Sequence, residues 1–337
     1  MVATTLRDVA RQARVSVKTV SNVINDHPHV SDELRRRVRA AVGELGYRPN
    51  LAARTLRTGR TGLLALIVPD VEAPGLHGLA REVVRAATGR GFRVVVEHLG
   101  PDTGRAAPPA HPGAPPGVDA VLLGADAVPP ELIDAHLGTG TPLVLLGDSR
   151  DPRCDQVALD GARAAADATE HLLGTGRRRI AAIGARPDEA TGSAQPRTLG
   201  YQRAVRRAGL DPPAGYLRAT AQHRHEDGYR AARWLFAHEH RPDALFCYSD
   251  RLAIGALRAA ADAGLRVPTD VAVVGFGDSE EGRYSRPTLT SVSADPAFLA
   301  REAVALVAAR LDRPDAPPAR ITAPHTILPR ESTRPAR

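Results

Sequence analysis

Lys18 is the only lysine in a chain of 337 residues; every other permanently basic side chain is an arginine. It stands four residues before Asn22 in the stretch Val17-Lys18-Thr19-Val20-Ser21-Asn22-Val23-Ile24. If that stretch is helical, the two polar side chains lie one turn apart, on the face opposite Val20, Val23 and Ile24. Their chemistry matches two base edges of duplex DNA: an ammonium reaches the O6 and N7 acceptors of guanine, and a carboxamide pairs with N6 and N7 of adenine. A solvent-facing helix surface carries similar pairs, so the surrounding elements decide between the readings.

Those elements predict a small three-helix head. Thr5 can cap a first helix, with Asp8 three residues on reaching back to its amide, and Leu6, Val9, Ala10 and Ala13 form an apolar stripe opposite Arg7, Arg11 and Arg14. The periodicity breaks at Arg14-Val15-Ser16, and Ser16 is a natural cap for a second helix from Val17 to about Asn25. Ser31 caps a third, with Leu34, Val38, Val42 and Leu45 inward, the arginines at 35–37 and 39 largely outward, and Gly46 as its stop. Two short helices meeting at a tight turn make a helix-turn-helix, whose second member presents its first residues to the major groove. After Tyr47-Arg48-Pro49-Asn50 comes Leu51 to Arg57, a helical stretch too brief to persist alone in water.

Charge points the same way. Residues 1–60 hold twelve Lys or Arg against five Asp or Glu, so the net +7 of the whole chain sits in its first sixth and the rest is formally neutral. A polyanion-binding head on a neutral body has this distribution.

The strings Val9-Ala10, Val15-Ser16, Thr19-Val20-Ser21, Val23-Ile24-Asn25, Val30-Ser31 and Leu45-Gly46-Tyr47-Arg48-Pro49-Asn50 resemble, in order and spacing, the head of the lac repressor (LacI/GalR) family. The resemblance implies a helix-turn-helix domain over 1–49 and a hinge helix with linker over 50–60. It also implies DNA contacts from Thr5, Arg7, Ser16, Val17, Lys18, Thr19, Ser21, Asn22, Asn25, Val30, Ser31 and Tyr47 in the head, and from Asn50, Ala53, Arg54 and Leu56 in the hinge. In the family the residue matching Leu56 wedges into the minor groove, and a leucine can unstack and kink a base step; packing of Leu56 on its own head is the other reading. The family often has arginine where this chain has Asn22.

From Thr61 onward, apolar runs alternate with amphipathic segments. The stretches 63–68, 93–96, 120–123, 143–146, 180–183, 244–247 and 271–274 read as buried parallel strands; 79–87, 161–173, 199–208, 228–237 and 252–263 read as helices. This β-α repetition predicts sheets with helices on both faces. Gly174-Thr175-Gly176-Arg177-Arg178-Arg179-Ile180-Ala181, Ser249-Asp250 and Val273-Val274-Gly275-Phe276 extend the family resemblance. The expected fold is thus an all-α helix-turn-helix head plus an α/β, two-lobed, periplasmic-binding-protein-like sensor domain, with a first lobe of 61–158 and 293–322 and a second of 159–292 and 323–337.

A ligand is expected in the cleft at the strand ends. Matching family pocket positions are Asp148, Arg197, His223, Ser249 and Asp250, with Asp278 beside them. Each has a structural alternative: Asp148 or Asp250 capping a helix, Arg197 pairing with an acid, His223 standing exposed beside His225. Three departures from the family stand out: Gly277-Asp278 replaces a usual pair of acids, Pro74-Gly75-Leu76-His77 replaces frequent aromatics, and the Pro- and Gly-rich 101–117 reads as a loop or disordered insert.

The chain has no Gly-rich phosphate loop, nucleophile elbow or His/Cys ligand cluster, so neither enzyme activity nor a metal or other cofactor is expected. His223, His225 and Glu226 are the nearest approach to a catalytic or metal group. Cys154 and Cys247 read as packing residues. No apolar run is long enough to span a bilayer, and Arg7, Asp8 and Arg11 interrupt any secretory pattern, so a cytoplasmic protein is expected. The expected function is a sequence-specific transcription regulator, a repressor, acting as a homodimer on double-stranded operator DNA and responding to a small polar or sugar-like effector.

Overall fold

The computed structural model describes residues 4–24, 29–47, 59–68, 76–98, 117–124, 128, 130–147, 151–186 and 193–334. They form two compact units, Met1–Thr61 and Gly62–Arg337.

The first unit is built on three capped helices, α1 (Leu6–Gln12), α2 (Val17–Ile24) and α3 (Asp32–Glu44). Thr5 and Asp8 close a reciprocal capping box on α1, Ser16 Oγ accepts the Thr19 amide at the start of α2, and Ser31 Oγ accepts the Leu34 amide on α3. Each cap satisfies a donor that the first helical turn leaves orphaned, contributing about 1 kcal/mol. Between α1 and α2 the chain turns sharply through Arg14, whose φ of 51° is left-handed. The core comprises Val9, Ala10, Ala13, Val20, Val23, Val38, Ala41 and Tyr47, with Leu6, Val15, Ile24, Val30, Val42 and Leu45 packed around it. Of the four inward positions expected on α3, Leu34 lies only half-buried and outside this cluster.

The second unit holds two six-stranded sheets. The first, in the order β11-β5-β4-β3-β1-β2, contains β1 (Leu63–Val68), β2 (Arg93–His98), β3 (Ala120–Gly124), β4 (Leu143–Leu146), β5 (Asp155–Leu159) and β11 (Arg320–Ala323), all parallel. Helices α4 (Leu76–Thr88) and α11 (Pro296–Asp312) cover one face with Val83, Ala87, Ala303, Val304 and Val307, and α5 (Pro130–Gly138) covers the other with Leu132 and Ile133. The second sheet, in the order β12-β10-β9-β8-β6-β7, contains β6 (Ile180–Ala185), β7 (Leu217–Ala219), β8 (Ala244–Cys247), β9 (Ala272–Phe276), β10 (Thr290–Ala294) and β12 (His325–Leu328); only β12 runs antiparallel to its neighbour. Around it lie α6 (Gly161–Gly174), α7 (Ala194–Arg207), α8 (His225–Phe236), α9 (Asp250–Asp262) and the short α10 (Glu280–Tyr284).

The chain passes from one sheet to the other after β5, between β10 and α11, and between β11 and β12. Arg310 pins the returning segment: its Nε and Nη2 donate to Asp155 at 2.8 Å each, and the Ala319 amide donates to the same carboxylate. Strands β5, β7, β10, β11 and β12 are additional to those read from sequence, and one strand that is read there differs in burial. β2, read as a buried strand, is exposed at five of its six residues, because it is the sheet edge and has a neighbour on one side only.

Helices α8 and α9 pack closely enough to exclude a methyl group. A Cβ on Gly228 would stand 2.1 Å from the Leu252 carbonyl oxygen, and one on Gly255 2.0 Å from that of His225. Gly228→Ala is therefore expected to lower stability by about 3 kcal/mol through overpacking, whereas Gly174→Ala, with no atom within 4 Å of the added carbon, leaves it unchanged or slightly raised. Urea unfolding of the two variants checks the contrast.

Candidate nucleic-acid interface and effector cleft

Burial of Val20 and Val23 fixes which way α2 faces. With those two residues in the core, Val17 is 42% exposed and Lys18 is exposed, while Thr19, Ser21 and Asn22 are half-buried. The first turn of α2 thus offers an apolar surface and an ammonium at the helix end where backbone dipoles favour an anion. Ser16 and Thr19 have their hydroxyls 2.9 Å apart, so both are tied to the cap. Arg7 and Arg11 lie exposed on α1, and Arg11 approaches Asp8 at 3.6 Å. Asp8 is held below the usual carboxylate range, chiefly by its hydrogen bonds from Thr5.

Other residues expected at DNA are placed differently. Thr5 and Ser31 are exposed caps, Val30 packs half-buried against the core, and the Tyr47 side chain is a core member at 8% exposure. Asn25, Asn50, Ala53, Arg54 and Leu56 lie outside the described residues, as does the insert at 101–116.

In the second unit, the carboxyl ends of β6, β8 and β9 bring Arg197 and His223 into one cluster. Arg197, on α7 and 8% exposed, donates from Nη1 to the Tyr248 carbonyl at 2.6 Å, and its guanidinium lies 3.9 Å above the Phe276 ring. Tyr248 in turn donates its hydroxyl to Thr198 Oγ1 at 2.9 Å. His223 places Nε2 3.2 Å from the Gly184 carbonyl; a carbonyl only accepts, so that nitrogen carries the proton and Nδ1 is left as an acceptor. Burial, reinforced by the positive charges of Arg197 and Arg186, holds the imidazole pKa down to about 3. The cluster therefore combines a stacked guanidinium, a neutral imidazole and two aromatic rings. Phe276 and Tyr248 were not singled out from sequence as pocket residues; their position at strand ends was the available signal.

The other expected pocket residues in this unit are engaged internally. Ser249 caps α9 by accepting the Leu252 amide at 3.3 Å. Asp250, 0% exposed, accepts the Ser279 amide at 2.5 Å and the Ser291 hydroxyl at 2.6 Å, joining α9 to α10 and β10. Burial raises its pKa against those bonds. Asp278, in a left-handed backbone at φ 51°, is gripped by Arg283 and Arg330 at 2.5 Å each. Asp148 lies outside the described residues. No set of three or more His, Cys, Asp or Glu among the described residues could hold a metal, and no helix among them is long and apolar enough to cross a membrane.

A packed helix-turn-helix head and a two-sheet α/β body define a class of DNA-binding transcription regulators that carry a ligand-binding-protein-like domain. The family comparisons agree with each half: residues 5–50 match the bacterial regulatory proteins of the lacI family, and 169–333 match a periplasmic binding protein-like domain. The chain is 32% identical over 313 residues to the ribose operon repressor of Escherichia coli (strain K12), spanning 92% of this chain and 94% of that one. It is 31% identical over 311 residues to the transcriptional repressor PurR of Pectobacterium carotovorum subsp. carotovorum (strain PC1), covering 91% and 90%. Among solved structures, the transcriptional regulator CelR in complex with cellobiose superposes with a TM-score of 0.68 at 30% identity, over 98% of this chain and 99% of that one. The lac repressor dimer bound to operator and the anti-inducer ONPF gives 0.79 at 25% identity, again over 98% and 99%. The chain belongs to the lacI family of transcription regulators.

The state of His223 has a consequence for pH. Its folded pKa lies below the ordinary value of 6.5, so between the two values the unfolded chain binds a proton that the folded chain does not, and stability falls as pH drops below about 6.5. One such group contributes a slope of at most about 1.4 kcal/mol per pH unit. His171 and His225 are displaced in the same direction, so the parent keeps some slope without His223. His223→Gln is expected to lose about 1–2 kcal/mol less than the parent between pH 6 and pH 4, as measured by urea unfolding at a series of pH values.

Proposed function

We propose that this protein is a repressor that binds its operator as a homodimer and is released from, or held on, that operator by a small polar ligand. The observation that carries the reading is the outward-facing first turn of α2, with Lys18 and Val17 exposed over buried Val20 and Val23. In a helix-turn-helix this turn enters the major groove, and two heads read half-sites about one helical turn, roughly 34 Å, apart. Lys18 and Asn22 take the base edges; Arg7, with Thr5, Ser16, Thr19, Ser21, Asn25, Val30, Ser31 and Tyr47, orients the head. Residues 50–60 act as the hinge, with Asn50, Ala53 and Arg54 at the DNA and Leu56 as the wedge in the minor groove.

The effector site falls between the lobes 61–158 with 293–322 and 159–292 with 323–337. Arg197 and His223 supply its polar contacts from the second lobe and Asp148 from the first. Ser249, Asp250 and Asp278 keep their place in the site as supports for its wall, given the internal bonds they make. A sugar-like ligand is supported by the printed functions of relatives, a ribose operon repressor and a cellobiose-bound regulator. The ligand acts through linkage: it shifts operator affinity only to the extent that it binds the DNA-competent and incompetent states unequally. The protein is not an enzyme and works in the cytoplasm.

The reading predicts a two-fold symmetric footprint on operator DNA. Lys18→Ala should relax base preference at one or two positions at a cost of about 1–3 kcal/mol, whereas Arg11→Ala should weaken all sequences alike and flatten the salt dependence by about one unit. Quantitative mobility-shift titrations against a panel of single-base operator variants separate the two behaviours, and a uniform loss in Lys18→Ala would remove it from base readout.

A further inference from the structure

The parallel strands β6 and β7 have two ends. Their carboxyl ends, through Gly184, abut the Arg197–His223 cluster. Their amino ends bound a separate cavity of about 340 Å³, at the lower end of the size range of small-molecule sites. With a rise of about 3.3 Å per residue, the six residues of β6 keep the two places roughly 17 Å apart. Nothing in the proposed repressor mechanism uses the second one.

Its lining is of two kinds. Leu210, Pro212 and Pro213, half-buried, make an apolar floor laid over the buried Ile180 and Tyr216, and Arg178, Arg179 and His240 make a basic rim. The arginines are anchored so that they face the cavity without being consumed. The Arg179 Nε donates to the Arg241 carbonyl at 2.9 Å, leaving the two terminal nitrogens as a paired donor edge, and Arg178 is held through Nη1 by the carbonyls of Leu173 and Arg177. Asp243, the acid that could neutralise them, gives its two oxygens instead to the backbone amides of Arg178 and Arg179. Asp211 is the one acid in the lining. The Tyr216 hydroxyl, its pKa raised chiefly by burial, donates to the His240 carbonyl and closes the floor.

An aromatic array continues from this floor. Tyr216 meets His238 edge-on at 6.5 Å, His238 lies 5.1 Å from Trp234, and the Arg218 guanidinium sits 4.1 Å over that indole. Trp234 is 42% exposed and is the only tryptophan in the chain.

We propose that this cavity is a second ligand site, distinct from the interlobe cleft, that takes a small aromatic carboxylate, its ring on the Leu210, Pro212 and Pro213 surface and its carboxylate on the guanidinium edges of Arg178 and Arg179. Two-toothed guanidinium–carboxylate bonding gives orientation, and solvent at the rim limits its strength, so the expected dissociation constant for a minimal ligand is on the order of 1 mM.

Equilibrium dialysis of the full-length protein with radiolabelled benzoate tests it directly. The expected result is saturable uptake of one benzoate per chain, with Trp234 fluorescence changing along the same isotherm and benzyl alcohol binding at least about tenfold more weakly, because the neutral analogue forfeits the charge-assisted pair. Arg178→Gln with Arg179→Gln, both on the exposed rim, should lower benzoate affinity at least about tenfold, and Arg179→Lys, which keeps the charge but not the paired edge, should lower it several-fold. No saturable uptake, equal affinity for the acid and the alcohol in the unmodified protein, or uptake that survives the double substitution and disappears in Arg197→Ala would each overturn the proposal; the last would place the ligand in the cleft.

Discussion

The burial of Val20 and Val23 against the core of the head is the constraint on which the rest depends. Helix α2 has only eight residues, too few to be stable in isolation; it exists because its apolar face is held by α1, α3 and the Tyr47 ring. Each fully buried aliphatic side chain contributes about 1.5–3 kcal/mol, so the two valines outweigh the gain available from any single contact of a surface lysine. Their position fixes the rotation of the helix, and that rotation leaves Val17 and Lys18 outward. The capping hydroxyl of Ser16 fixes where the helix begins, and the left-handed turn at Arg14 fixes its angle to α1. The direction in which Val17 and Lys18 point is therefore set by two valines buried beneath them.

The body uses the opposite arrangement: polar groups, rather than apolar ones, hold together the strand ends around Arg197 and His223, where a ligand is proposed to bind. Asp250 joins the start of α9 to Ser279 and Ser291, and Asp278 gathers Arg283 and Arg330, so two buried carboxylates fasten the loops after β8 and β9 to β10 and to the chain near its end. Breaking either pairing would leave an uncompensated buried charge, which is far more damaging than losing a surface ion pair. On that frame Arg197 and His223 are presented in fixed states, the guanidinium by Phe276 and the Tyr248 carbonyl, the imidazole by the Gly184 carbonyl.

Much of this was legible in the chain itself. Thr5, Ser16 and Ser31 announced the three helix starts because a short hydroxyl ahead of an amphipathic run has few other uses, and the apolar runs marked the central strands because a parallel sheet buries both faces. Direction was not legible. Asp250 and Asp278 have the right type for gripping a ligand, but only the neighbours brought by Ser279, Ser291 and Arg330 show that their oxygens are occupied. Tyr47, a DNA contact by family resemblance, has its ring in the core of the head, a place that an aromatic ring with a polar tip also suits. The strands β5, β7, β10, β11 and β12 are not legible for a related reason: segments such as Asp155-Gln156-Val157-Ala158 and Thr290-Ser291-Val292-Ser293 carry no continuous apolar run, and β10, β11 and β12 also take partners from distant parts of the chain.

Selection of binding sequences from random duplex DNA by the full-length protein, followed by methylation interference on the enriched sites, tests most directly whether α2 reads bases. The account predicts a palindromic motif in which methylating the N7 of a particular guanine in each half-site blocks binding, with that sensitivity gone in Lys18→Ala. Enrichment of no motif, or interference from phosphate ethylation alone, would contradict it.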